Sequence, residues 1–383
     1  MKPKVLFVIN SLVGGGAERV MTTLLAHSAE RARAIDISLA VLDDEPRAFE
    51  VPDWLTVHQL DCRRGTLASI RKLGNLVRQI APDATLSFLT RSNVASVIAA
   101  LRGSHPCIIS ERTSTSAHLG RGLRPAITKA LIRAFYPRAT RVIAPSQDIG
   151  AKLECDFAVR ENCIDVIPNP VDIEALRRAS ADDAAFRPEG QYVMAVGRLV
   201  TVKNYELLIR AFAAADIPGR LVIAGEGPQR QHLQKLAGEL RIADRLLLPG
   251  FLQNPYRALK GARVFALSSN VEGFPNALLE ALALEVPVVA TNCRDGPAGI
   301  LANSTAERVQ GLTICDAGIL TPVGGVESFA RALRLATEDP LRSRLSANGP
   351  AVASRYSAGA IVDRYWQVIE RAMAQPQAMP GSA

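Results

Sequence analysis

At 383 residues, 48% hydrophobic and 21% charged, the chain is too long for one ordinary core and implies about two globular domains. Its net charge of +8 is unevenly placed: Arg63 to Arg141 holds 14 Lys or Arg against Asp83 and Glu111, a local +12 that leaves −4 for the rest. No apolar run approaches the roughly 18 residues of a membrane span, and six scattered cysteines without a Cys-x-x-Cys pair exclude a zinc or disulfide framework and suit a reducing cytoplasm.

The opening KVLFVIN is too short for a signal-peptide core and lacks a small-residue cleavage site, so it reads as a first strand. It runs into SLVGGGAERV, where Gly14, Gly15 and Gly16 precede a helix. Such a turn lets a phosphate or sugar approach the backbone, and it can equally be a plain tight turn. It fails the dinucleotide fingerprint because Arg19 stands where Gly or Ala is needed. Asp43, at the end of the second strand, still offers a ribose ligand for an NAD-dependent oxidoreductase.

Further strands follow at DISLAVLD, ATLSFLT, CIISER and RVIAPS, with helices from about Ala17, Leu67, Asn93, Arg124 and Gln147. In RRGTLASIRKLGNLVRQI the residues Leu67, Ile70, Leu73, Val77 and Ile80 recur at helical spacing opposite Arg71, Lys72 and Arg78. The plain reading is a core-facing helix with a solvated basic side. With the basic segment Arg121 to Arg138, the sharper reading is attraction to an anionic membrane surface or a polyphosphate acceptor through region 63–141. Phe88, Phe135 and Tyr136 are too few aromatics, with no recognised module, to support a nucleic-acid partner.

Pro168, Pro170, acidic residues and Gly190 then mark a linker, 169–190. The alternation restarts with QYVMAVGRL, GRLVIAGEG, RLLLPGF, ARVFALSS and VPVVATN. The fold class expected is α/β, two doubly wound Rossmann-like domains facing across a cleft, at 1–168 and 191–357. A terminal helix over 358–374 is amphipathic with Tyr365 and Trp366, and the tail 375–383 reads as disordered.

Chemistry concentrates in the second half. Arg198 stands just beyond a strand and Lys203 five residues later, ahead of a helix. Two cations there suit a departing diphosphate, whose charge they would neutralise as its bond breaks. The stretch Ile223 to Arg230 adds a glycine-rich strand-to-helix turn. In NVEGFPNALLEALA, Pro275 suits a helix start and the following run is strongly helix-forming. Glu272 then sits at a strand's carboxyl end and Glu280 two turns into the helix, about 80° apart if helical spacing held throughout. Both carboxylates would face one ligand. The bland readings are a dipole-complementing Glu272 and a solvated Glu280.

Together these pieces resemble the retaining glycosyltransferase family four of the GT-B fold, through Gly14 to Gly16, VGRLVTVKN, AGEGP, PGF and the glutamate pair of NVEGFPNALLEALALEVPVVA. The tail of that last segment, together with SER at Ser110 to Arg112, is similar to bacterial enzymes that extend lipid-linked or capsular oligosaccharides. The resemblance implies catalytic roles for Glu272, Arg198 and Lys203. Arg198 and Lys203 would hold the donor's diphosphate. Glu280 would bind ribose hydroxyls, and Glu272, Gly273 and the backbone of Phe274, Pro275 and Asn276 the transferred sugar. Gly15 and Gly16 would approach the donor from the other domain, Phe251 and Leu252 would lie near the base, and the terminal helix would pack back on the first domain. The family's first-domain histidine has no clear counterpart in SERTSTSAH, where Glu111, Arg112 or His118 are the acceptor-side candidates. No Asp-x-Asp ends a strand, so neither metal nor cofactor is expected. The implied function is retaining transfer of a hexose or N-acetylhexosamine from a UDP-sugar to a lipid-linked saccharide, by a cytoplasmic enzyme peripheral to the inner face of the plasma membrane. A sugar-nucleotide epimerase on the same fold and a non-catalytic membrane-associated scaffold are the alternatives.

Overall fold

The computed structural model describes residues 2–112, 123–294 and 296–374. The chain divides into two compact units, Met1–Pro170 with Ala358–Ala383, and Val171–Ser357.

In the first unit the strands are β1 (Lys4–Ile9), β2 (Asp36–Val41), β3 (Thr56–Gln59), β4 (Ala84–Phe88), β5 (Cys107–Ser110), β6 (Arg141–Ala144) and β7 (Ile164–Val166). They form one sheet in the order β3-β2-β1-β4-β5-β6-β7, with every pairing parallel. Val5 to Ile9 and Ala84 to Phe88 are buried throughout, as strands covered by helices on both faces must be. The edge strands β3 and β7 were not expected. Thr-Val-His-Gln is only half-buried and Ile-Asp-Val is three residues long, so neither carries a continuous apolar run.

The helix Ala358–Ala374 belongs to this unit and places Ile361, Tyr365, Trp366, Val368 and Ile369 in one core with Val5, Phe7 and Ile9. Trp366 meets Phe7 edge-on at 6.0 Å and donates its indole N–H to Ser28 Oγ at 2.8 Å. The helix Thr66–Ile80 corrects one expectation: Leu73, Leu76 and Val77 are buried, but Leu67 is 83% exposed. It stands in the first turn, before the core-facing stripe is established. Lys72 is also drawn off the basic side, donating to the carbonyls of Leu60 and Asp61.

The stretch read as a linker contains the helix Ile173–Ser180, whose Asp172 side chain accepts from the Ala175 amide at 2.9 Å. That cap and buried Leu176 are helix signals that the flanking prolines obscured.

The second unit holds β8 (Tyr192–Val196), β9 (Arg220–Ala224), β10 (Leu246–Gly250), β11 (Val264–Leu267), β12 (Val288–Thr291), β13 (Thr313–Ile314) and β14 (Gly318–Thr321). Their order is β10-β9-β8-β11-β12-β14-β13, parallel except for the short β13–β14 pair. The two sheets thus share one topology, and each reverses its strand order once, at β1/β4 and at β8/β11. Ligands of open parallel sheets gather beyond the carboxyl ends of strands at such reversals. All six cysteines are unbonded.

Trp366→Ala should lower the stability of the first unit by about 3–5 kcal/mol, the cost of emptying a buried aromatic site. Urea unfolding followed by circular dichroism measures it.

Candidate functional site

At the reversal of the second sheet, the loop after β8 is laced to the loops after β9 and β10 by main-chain hydrogen bonds. The Gly197 amide donates to Ala224 O at 2.9 Å, Leu199 N to Glu226 O at 2.8 Å, and Gly225 N to Gly250 O at 2.8 Å. Side chains would prevent this. A Cβ on Gly225 would lie 1.9 Å from Gly197 O, and one on Gly227 2.4 Å from Leu199 O, with φ of +154° and +158°. The three short glycine motifs are therefore one device that fixes where Arg198 and Lys203 leave the sheet. Arg198 is exposed.

Beyond Leu199 the turn Thr201–Lys203 is tied to the segment after β11. Ser268 Oγ donates to Lys203 O at 2.8 Å, Asn270 N to Val202 O at 2.9 Å, and Asn204 Nδ2 to Asn270 Oδ1 at 2.9 Å. These links bring Lys203 Nζ to 2.6 Å from Glu272 Oε1. Ser269 Oγ donates to the same carboxylate oxygen, and Thr291 Oγ1 donates to Ser269 O. Glu272 is 7% exposed, and a buried carboxylate requires such partners. It is not an exposed dipole-complementing residue.

The helix starts at Asn276 and runs to Ala283, so helical spacing does not extend back to Glu272, which lies in the preceding loop. Glu280 is 5% exposed on a helix whose Leu278, Leu279, Ala281 and Leu282 are also buried, which overturns the reading of a solvated position. Gly273 and Pro275 are buried, and Phe274 and Asn276 half-buried. Phe274 packs on Tyr356 with centroids 5.7 Å apart. Phe251 is 60% exposed, while Leu252 packs against the core. Sequence reasoning missed Tyr205, the first residue of the helix Tyr205–Ala215, whose hydroxyl stands 2.9 Å from where a Gly197 Cβ would be. It also missed Ser269 and Thr291, which brace Glu272. The Ser269-x-x-Glu272 spacing was the available signal.

In the first unit Gly15 and Gly16 are exposed at the start of the helix Gly16–Ala26. A Cβ on Gly15 would lie 2.4 Å from Glu18 Oε2, so the Glu18 carboxylate folds back over the glycine turn. Asp43 is not open to a ribose. It is 4% exposed and is held by both terminal nitrogens of Arg91 and by the Arg64 amide. Burial would raise its pKa, but these hydrogen bonds and the two guanidinium charges hold it below its usual range. Glu111 and Arg112 are 1% and 7% exposed and have internal partners. Tyr136 Oη donates to Glu111 Oε2 at 2.7 Å. Arg112 donates to Asn169 at 2.7 Å and to Tyr365, and lies 4.0 Å over the Phe88 ring. Both sit inside the packing of this unit. His118 lies outside the described residues.

A cavity of about 520 Å³ lined by Ala81, Asp83, His105 and Met373 opens at the amino ends of β4 and β5, away from the carboxyl-end loops. Among the described residues no group of three or more His, Cys, Asp or Glu is placed to hold a metal ion.

Gly225→Ala should uncouple the loops after β8 and β9, lower the thermal midpoint, and raise amide exchange at Gly197 and Leu199. Hydrogen exchange read by mass spectrometry would locate the change, and protection equal to wild type would refute the lacing.

Comparison with known proteins identifies the family. Residues 14–175 match the model of Glycosyltransferase Family 4 and residues 177–352 that of Glycosyl transferases group 1. The chain is 29% identical over 343 residues to the N-acetylgalactosamine-N,N'-diacetylbacillosaminyl-diphospho-undecaprenol 4-alpha-N-acetylgalactosaminyltransferase of Campylobacter jejuni, covering 86% of this chain and 89% of that one. A second Campylobacter jejuni protein, GalNAc-alpha-(1->4)-GalNAc-alpha-(1->3)-diNAcBac-PP-undecaprenol alpha-1,4-N-acetyl-D-galactosaminyltransferase, is 27% identical over 317 residues, 79% and 82% of the two chains. Among solved structures, Anabaena HepE in complex with UDP superposes with a TM-score of 0.74 at 20% identity, covering 97% of this chain and 100% of that one. The oxidoreductase and epimerase readings gain no support from these matches. The chain belongs to the family-four glycosyltransferases of GT-B architecture.

Proposed function

We propose that this glycosyltransferase moves a hexose or N-acetylhexosamine from a UDP-sugar to a saccharide carried on a polyprenyl diphosphate, with retention of anomeric configuration. The observation that carries the reading is the pair at the β8/β11 reversal, Lys203 at 2.6 Å from buried Glu272, with Arg198 exposed five residues earlier in the loop after β8 and Glu280 buried on the next helix. The undecaprenol-linked acceptors named for the two Campylobacter relatives support the acceptor class. The UDP bound in HepE supports the nucleotide.

In this reading the diphosphate lies against Arg198 and Lys203, which offset its charge as the anomeric C–O bond breaks. The acceptor hydroxyl attacks from the face the diphosphate leaves, and its proton passes to the departing diphosphate oxygen. Glu272 holds sugar hydroxyls and Glu280 the ribose. With two cations in this role the transfer runs without a metal or other cofactor, so chelator leaves the rate unchanged. The first test is calorimetric binding of UDP without metal. Wild type should bind, and folded Lys203→Ala and Glu280→Ala should each bind at least about tenfold more weakly, as expected for a lost charge-assisted hydrogen bond. UDP binding indifferent to both substitutions would sink the assignment.

We further propose that the enzyme works at the inner face of the plasma membrane, held by region 63–141. Arg63 and Leu67 support this, at 86% and 83% exposed, with Arg71 and Arg78 exposed along the same helix. No helix among the described residues is long and apolar enough to cross a membrane. Phosphatidylglycerol vesicles should retain the protein at low ionic strength and release it as salt rises toward 1 M, where screening shortens to about 3 Å. Failure to sediment with such vesicles at low salt would overturn the membrane proposal alone.

A further inference from the structure

One polar group at the site has no role in the reading above. Tyr205 is 5% exposed, with its ring in the core formed with Leu208, Phe212 and Ile223. Among the described residues its hydroxyl has no hydrogen-bond partner. The hydroxyl oxygen is not among the buried polar atoms left without a partner, so the ring lies in the core while the O–H reaches solvent and is open to a ligand.

Its surroundings point to the chemistry of that ligand. A Cβ on Gly197 would lie 2.9 Å from Tyr205 Oη and 3.5 Å from Lys203 Cε, so the hydroxyl and the lysine stem close on Gly197 from one side, an approach that a side chain there would crowd. Burial first, and then the Glu272 charge, push the phenol pKa well above its ordinary value, and the group stays an O–H donor at any working pH. A permanent neutral donor beside a lysine suits an anion better than a sugar hydroxyl, which would be matched equally well by an acceptor.

We propose that Tyr205 is a further donor-binding residue, whose hydroxyl donates to the terminal phosphate of the nucleoside diphosphate beside Lys203. The inference rests on the glycosyl-transfer reading and deepens it, because this phosphate leaves with the nucleotide.

Tyr205→Phe keeps the ring in the core and removes only the O–H. Titration of wild type and variant with UDP and with UMP, together with unliganded thermal midpoints, tests the assignment. UDP affinity should fall about tenfold, UMP affinity should stay within about twofold, and the unliganded midpoint should hold because the O–H has no partner in the protein. Equal UDP affinities, an equal loss for UMP, or a lowered unliganded midpoint would each overturn the proposal while leaving the transfer reading in place. No UDP binding by wild type would overturn both.

Discussion

A carboxylate at 7% exposure beside the end of a sheet is the constraint on which the second unit turns. A buried carboxylate needs partners, and those of Glu272 come from three separate segments: Lys203 from the loop after β8, Ser269 just beyond β11, and Thr291 of β12 acting through the Ser269 carbonyl. Removing any one would expose the others to the same desolvation penalty. The strand order makes the meeting possible, since β8 and β11 are neighbours only because the sheet reverses between them.

The glycines serve that meeting at one remove. Main chains of the β8, β9 and β10 loops approach closely enough to exchange amide–carbonyl bonds, which fixes the path by which Lys203 is delivered to Glu272. At Gly225 and Gly227 a single methyl would collide with a carbonyl at 1.9 and 2.4 Å. Geometry at the carboxylate is thus set by backbone contacts some residues away, an economical means of holding a site rigid before a ligand arrives.

How much of this could be read from the chain depends on how local each signal is. The buried strands announce themselves as apolar runs, and the Glu272–Glu280 spacing and the Arg198–Lys203 pair follow from strand-end and helix-start signals. Edge strand β3 carries too little apolar sequence to be seen, and Leu67 matched a helical period yet lies outside the stripe that period predicts. Glu111 and Arg112 were named for their sequence context. Their partners Tyr136 and Tyr365 lie 25 and 253 positions away, and no periodicity links such residues. Tyr205 was missed for the same reason, since as the first residue of a helix it looks like packing, and only the fold brings its hydroxyl beside Gly197 and the Lys203 stem.

The two sheets share one topology yet treat charge at their reversal points differently. In the first, Arg91 grips Asp43 with both terminal nitrogens, the planar two-point fit that makes guanidinium–carboxylate pairs durable. In the second, Lys203 meets Glu272 through a single ammonium–oxygen contact on a side chain that is still 24% exposed. An ammonium is a point charge on a flexible stem, so it can turn toward an entering anion without dismantling the loop, and Ser269 remains to hold the carboxylate. A forked pair resists exchange and serves the fold; a single-point pair exchanges readily and suits a site that must trade an internal partner for a ligand. The chain places the exchangeable pair beyond a loop in which Arg198 is also exposed, and the durable one where the main chain of Arg64 adds a further hydrogen bond to Asp43.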